Sequence, residues 1–179
     1  MVLAVLLAGL VDVGRAQQGG GPMGQGGHHG QHGSHGGQGG VGRDGDHADF
    51  RFLLRHHDQI RRTVTRLPDG VETLTESDDP AVAAKIREHV AAMKLRLHER
   101  RPIHARDPLF AEIFRHAGAI VLTDEATPNG VRVRETSTDP YVAALIHAHA
   151  AVVDGFVARG HAEMHVDHPL PERPPPPAS

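Results

Sequence analysis

The residues from Phe50 to Arg100 align without a gap against those from Phe110 to Gly160, sixty positions later. Seventeen of the fifty-one pairs are identical, against roughly one in fifteen to twenty expected from composition alone. A chain built this way is constrained to fold as two equivalent halves, and the reading is a tandem duplication of one unit. Most of the shared residues are structural, among them Phe50/Phe110, Ile60/Ile120, Pro68/Pro128, Gly70/Gly130, Asp79/Asp139, Pro80/Pro140, Val82/Val142 and Ile86/Ile146. Two pairs are not: His56/His116 and His89/His149. Neither turns nor cores require imidazole, and a pseudo-twofold could bring the members of each pair together.

Within each half, period and punctuation give the elements. Phe50, Leu53, Leu54, His57 and Ile60 recur at helical spacing, as do Leu109, Phe110, Ile113, Phe114, Ala117 and Ile120, which predicts a short helix over 49–60 and its counterpart in the second half. Strands follow at 61–67 and 71–76, and again at 121–127 and 131–136. They are joined by Pro68-Asp69-Gly70 and Pro128-Asn129-Gly130, a chemistry that suits tight hairpins. Each hairpin runs into Ser-x-Asp-Pro, where Asp79 or Asp139 caps a helix whose first residue is proline. These helices run to about 100 and 159, with stripes Val82, Ile86, His89, Met93, Leu97 and Val142, Ile146, His149, Val153, Phe156. The expected class is α+β: an α-β-β-α unit twice over, forming an antiparallel sheet of about four strands with helices packed on it.

The remainder falls outside that domain, which is set at 47–168. Residues 1–16 resemble a secretory signal peptide, an apolar run ending in Gly14-Arg15-Ala16, too short for a stable membrane span. The chain is therefore expected to be periplasmic or secreted, and a periplasmic protein partner would suit it. Residues 17–46 are a Gly/His-rich linker expected to be disordered, and 169–179 form a Pro-rich, extended tail. The net charge of −3, with no block of one sign, gives no nucleic-acid footprint. With no cysteine, thiolate metal sites, iron–sulfur clusters and covalent haem are excluded, so any metal must use nitrogen, oxygen or thioether ligands.

Eleven of the sixteen histidines fall into three groups. His28, His29, His32 and His35 sit in the linker, where a flexible backbone can wrap an ion. The matched pairs His56/His116 and His89/His149 form the second group, with His89 and His149 on the apolar face of the long helices. His56, His89, His116 and His149 are all candidate metal ligands, and His89 with His149 could instead, as paired axial ligands, hold a non-covalent haem b, with Arg55 and Arg115 available to propionates. Met93 lies one turn from His89, but its counterpart is Val153, which reads Met93 as core. The third group is His161, Met164, His165 and His168: were the last helix to continue, His161 and His165 would share one face at i, i+4 and suit a metal. These residues favour an exported binder of a transition metal, copper ahead of nickel or zinc, with haem b handling or a non-catalytic scaffold as alternatives. No Gly-x-Ser-x-Gly, His-Glu-x-x-His, phosphate loop or cysteine nucleophile argues for an enzyme.

Overall fold

The computed structural model describes residues 43–173. The signal-like segment, most of the Gly/His stretch and the last six residues lie outside the described residues. The chain runs α1 (Arg43–Arg55), β1 (Arg61–Leu67), β2 (Gly70–Glu76), α2 (Pro80–His98), α3 (Pro108–Arg115), β3 (Val121–Thr127), β4 (Gly130–Thr136) and α4 (Pro140–Arg159). Short 3₁₀ turns at His57–Gln59, Ala117–Ala119 and Gly160–His165 follow α1, α3 and α4. The expected α+β class is what the chain adopts, with all four strands in one antiparallel sheet of order β1-β2-β4-β3.

Both hairpins close over two residues, Pro68-Asp69 and Pro128-Asn129, and they join edge to edge through β2 and β4. That central pairing is centred on Thr73 opposite Val133, residues sixty apart, with Gly70 opposite Thr136 and Gly130 opposite Glu76. Contacts between the halves recur in the same way. Ser77 N–H donates to Asn129 O and Ser137 N–H to Asp69 O, both at 2.9 Å. Arg87 on α2 reaches Thr127 O, and its counterpart His147 on α4 reaches Leu67 O. Each long helix thus lies against the other half's hairpin.

The capping aspartates behave as the local chemistry dictates. Asp79 accepts from the N–H groups of Ala81 and Val82, and Asp139 from those of Tyr141 and Val142. A third such cap, Asp107 followed by Pro108, opens α3. Two boundaries differ from the pattern. The first helix starts at Arg43, six residues early, and both short helices stop at Arg55 and Arg115, passing into 3₁₀ turns before Ile60 and Ile120.

Strand alternation puts Val71, Val131 and Val133 on the helix side and leaves Arg132 and Arg134 exposed opposite them. The helix side carries the core: Leu109, Val142, Leu145 and Ile146 are at most 1 % exposed. The stretch Pro140–His165 is long and apolar enough by composition to cross a membrane, but α4 is the central core helix and half of that surface is buried in the domain.

A histidine-lined apolar cavity between the halves

Beneath the helices lies a cavity of about 200 Å³. Its walls come from both halves and are mainly Leu, Ile, Val and Phe. Among them open four imidazoles, His57, His89, His104 and His149, together with Met93, Arg62 and Glu135. His89 and His149 reach it from equivalent turns of α2 and α4. Each also meets the equivalent phenylalanine: His89 stacks on Phe50 with centroids 5.8 Å apart, and His149 meets Phe110 edge-on at 5.5 Å. His104, on the 99–107 connection between the halves, lies between those rings, 5.1 Å from Phe50 and 5.7 Å from Phe110. A connecting residue is thereby placed at the junction of two matched aromatic pairs. His104 holds a φ of +53°, a conformation a β-carbon disfavours, and Arg100 at the start of the same loop does likewise.

The cavity floor is polar on one side. Glu135 Oε2 stands 3.8 Å from His149 Nδ1. Burial works to raise the Glu135 carboxyl, but the His149 imidazole and the Arg62 guanidinium outweigh it and leave the group below its ordinary value. Burial lowers Arg62 in turn, against the opposing pull of Asp154, whose Oδ1 lies 2.9 Å from Arg62 Nε. Around His89 the floor is different, because the position equivalent to Glu135 is Thr75 and that equivalent to Arg62 is Leu122. At 3.8 Å the Glu135 carboxylate faces the His149 ring as a charge partner, beyond hydrogen-bond distance. His57 is oriented by a hydrogen bond, its Nδ1 donating to Val157 O at 2.8 Å.

The other sequence-predicted residues go elsewhere. His56 turns back on its own helix: Nδ1 meets Phe52 O at 2.9 Å and the ring stacks on Phe52. His116 Nε2 lies 3.2 Å from Glu112 Oε1 and its ring meets Tyr141. Neither lines the cavity, nor do the exposed Arg55 and Arg115. The condition for the third group is not met, because α4 ends at Arg159 and Gly160 takes φ +56°. A β-carbon there would press on the His57 ring and sit 2.9 Å from Leu54 O, so the break belongs to the packing. In the 3₁₀ turn that follows, three residues per turn separate His161 from His165, and both are exposed, as is Met164. His168 is buried with both nitrogens engaged: Nδ1 lies 2.7 Å from Asp107 Oδ2 and Nε2 3.2 Å from Glu163 Oε1. This histidine ties the C-terminal segment to the cap of α3.

Among the described residues no three His, Cys, Asp or Glu side chains converge closely enough to hold an ion by themselves. His57, expected only as part of a helical stripe, and His104, Arg62 and Glu135, given no site role in the sequence, all line the cavity. For Glu135 a signal existed, since it is a charge following Val131 and Val133 on the inward face of β4, whereas Arg62 shares its β1 face with Val64 and a second arginine, Arg66. Fold and cavity together define a small α+β domain with a histidine-lined apolar chamber between its two halves. No protein family, no curated protein and no solved structure matches the chain.

Proposed function

We propose that this is a non-catalytic, exported binding protein for a transition-metal ion, copper in its cuprous state, held between His89 and His149 with Met93 as thioether ligand. The observation that carries the reading is the opening of both matched imidazoles onto a single apolar cavity, whose wall also includes Met93, one helical turn from His89 and expected from its Val153 counterpart to be plain core. Zinc and nickel sites need more nitrogen and oxygen donors than gather here, whereas cuprous copper is served by few, soft ligands. Glu135 beside His149 supplies a nearby carboxylate of the kind that such histidines pair with. The same histidine pair could serve haem b. However, a chamber of about 200 Å³ is close in size to one that benzene fills, far short of a porphyrin.

The test uses the full chain with His28, His29, His32 and His35 changed to alanine, so that linker binding is removed. Competition with a chromophoric cuprous chelator should return one bound equivalent, lost in H89A and in H149A. Glu135→Gln should weaken the site by roughly 10- to 100-fold. Retention of full affinity in both histidine variants would overturn the reading. A Soret band on haem addition, lost with either histidine, would replace it by the haem reading. Fractionation of the host checks export.

A further inference from the structure

The surface of the second half carries a site with no counterpart in the first. Glu112 on α3 occupies the position equivalent to Phe52, and Tyr141 on α4 that equivalent to Ala81. Glu112 is buried, its side chain 4 % exposed. Around its Oε1 stand His116 Nε2 at 3.2 Å, Tyr141 Oη at 3.4 Å and Arg173 Nη2 at 3.3 Å, while Oε2 pairs with Arg115. Arg173 Cζ also lies 4.0 Å from the centroid of the Tyr141 ring. An aromatic face above and a carboxylate at the edge are what a planar guanidinium selects over a compact ammonium.

The group filling that place is weakly held. Arg173 is 67 % exposed and arrives on a segment whose prolines, Pro169 and Pro171, have no N–H to donate. When it leaves, Glu112 keeps Arg115, His116 and the Tyr141 hydroxyl, so no buried charge is stranded. We propose that Glu112, His116 and Tyr141 form a binding site for an arginine side chain presented on an extended, proline-flanked segment of a partner protein, with Arg173 as its resting occupant in cis. The site is independent of the copper reading. Its partner competes with a tethered copy of its own ligand, whose effective concentration is of millimolar order.

Tyr141 is the only tyrosine in a chain without tryptophan, so its fluorescence reports this pocket alone. The probe is a peptide of residues 169–177, Pro-Leu-Pro-Glu-Arg-Pro-Pro-Pro-Pro, titrated into the full chain and into its R173A variant. R173A should give a saturable change at a concentration at least about tenfold below that needed by the unaltered chain, whose tethered arginine competes. A peptide with lysine in place of the arginine should bind at least about tenfold more weakly, because it loses the planar fork. E112Q combined with R173A should abolish the response. Equal titrations of R173A and the unaltered chain would overturn the proposal, as would equal binding of the lysine peptide. That second comparison decides the matter even if the Glu112 variant fails to fold by circular dichroism.

Discussion

Gly130→Ala isolates the packing of one half on the other. Gly130 lies outside the positive-φ set, so alanine costs nothing in backbone conformation there. The difficulty is space: a β-carbon at 130 would overlap the Thr75 carbonyl oxygen and sit 2.8 Å from Glu76 Cα, where 3.4 Å begins ordinary contact. Both obstacles are backbone in the β2–β4 pairing that joins the hairpins. Over-packing against side chains that can rotate costs about 1–3 kcal/mol. Here relief requires the strand end to open as well, losing one or two backbone hydrogen bonds of about 1 kcal/mol each. The expected total is about 3–4 kcal/mol, a large part of the roughly 5–15 kcal/mol that holds a domain together. That corresponds to a fall in melting temperature of about 10–15 °C for a domain of this size. Gly118→Ala is the control, since its β-carbon would meet only the Arg100 guanidinium at 2.7 Å, a flexible group that can swing away, and should cost less than about 1 kcal/mol. Thermal and urea unfolding followed by circular dichroism measure both. If G130A melted within 2–3 °C of the unaltered chain, or if G118A were equally damaging, the close-approach argument would be wrong.

Two further outcomes are expected. Asp139→Ala removes only a helix cap and should cost about 1 kcal/mol, whereas Asp107→Ala removes a cap and the partner of buried His168, and should cost about 2–4 kcal/mol by urea titration; equal losses would refute a role for the His168 tie. The Glu163 carboxyl, raised by burial but more strongly lowered by Arg159 and His168, lies below its ordinary 4.5. Its contribution to stability is complete above that value and is lost as pH falls through the lower folded value, so Glu163→Gln should flatten the acid limb of the stability curve and leave its neutral-to-alkaline shape unchanged; an unaltered acid limb would count against it.

The elements legible in the sequence are those specified by a few neighbouring residues. Asp79-Pro80 and Asp139-Pro140 set the starts of the long helices, and Pro68-Asp69-Gly70 with its partner sets the hairpins, because capping and turn formation are completed within four residues. The edge-to-edge join of β2 to β4 was not legible, since nothing local distinguishes that edge from the outer edges of β1 and β3. The candidate site follows the same division. His89 and His149 sit on stripes whose buried face the periodicity identifies, and both reach the cavity. His56 and His116 flank the stripe of the short helices instead of sitting on it, and both turn to acceptors on their own helix, Phe52 O and the Glu112 carboxylate. His161 and His165 lost their common face to Gly160, which ends α4 at φ +56° where His57 and Leu54 of the other half leave no room for a β-carbon. Duplication of a residue is thus a weaker guide than its place on an uninterrupted helix. The two halves also differ beside the matched imidazoles: Glu135 and Arg62 stand near His149 where Thr75 and Leu122 hold the equivalent positions around His89. One polar wall gives His149 a nearby carboxylate and His89 shares its helix with a thioether, so the two matched imidazoles that open on the cavity have chemically unlike surroundings.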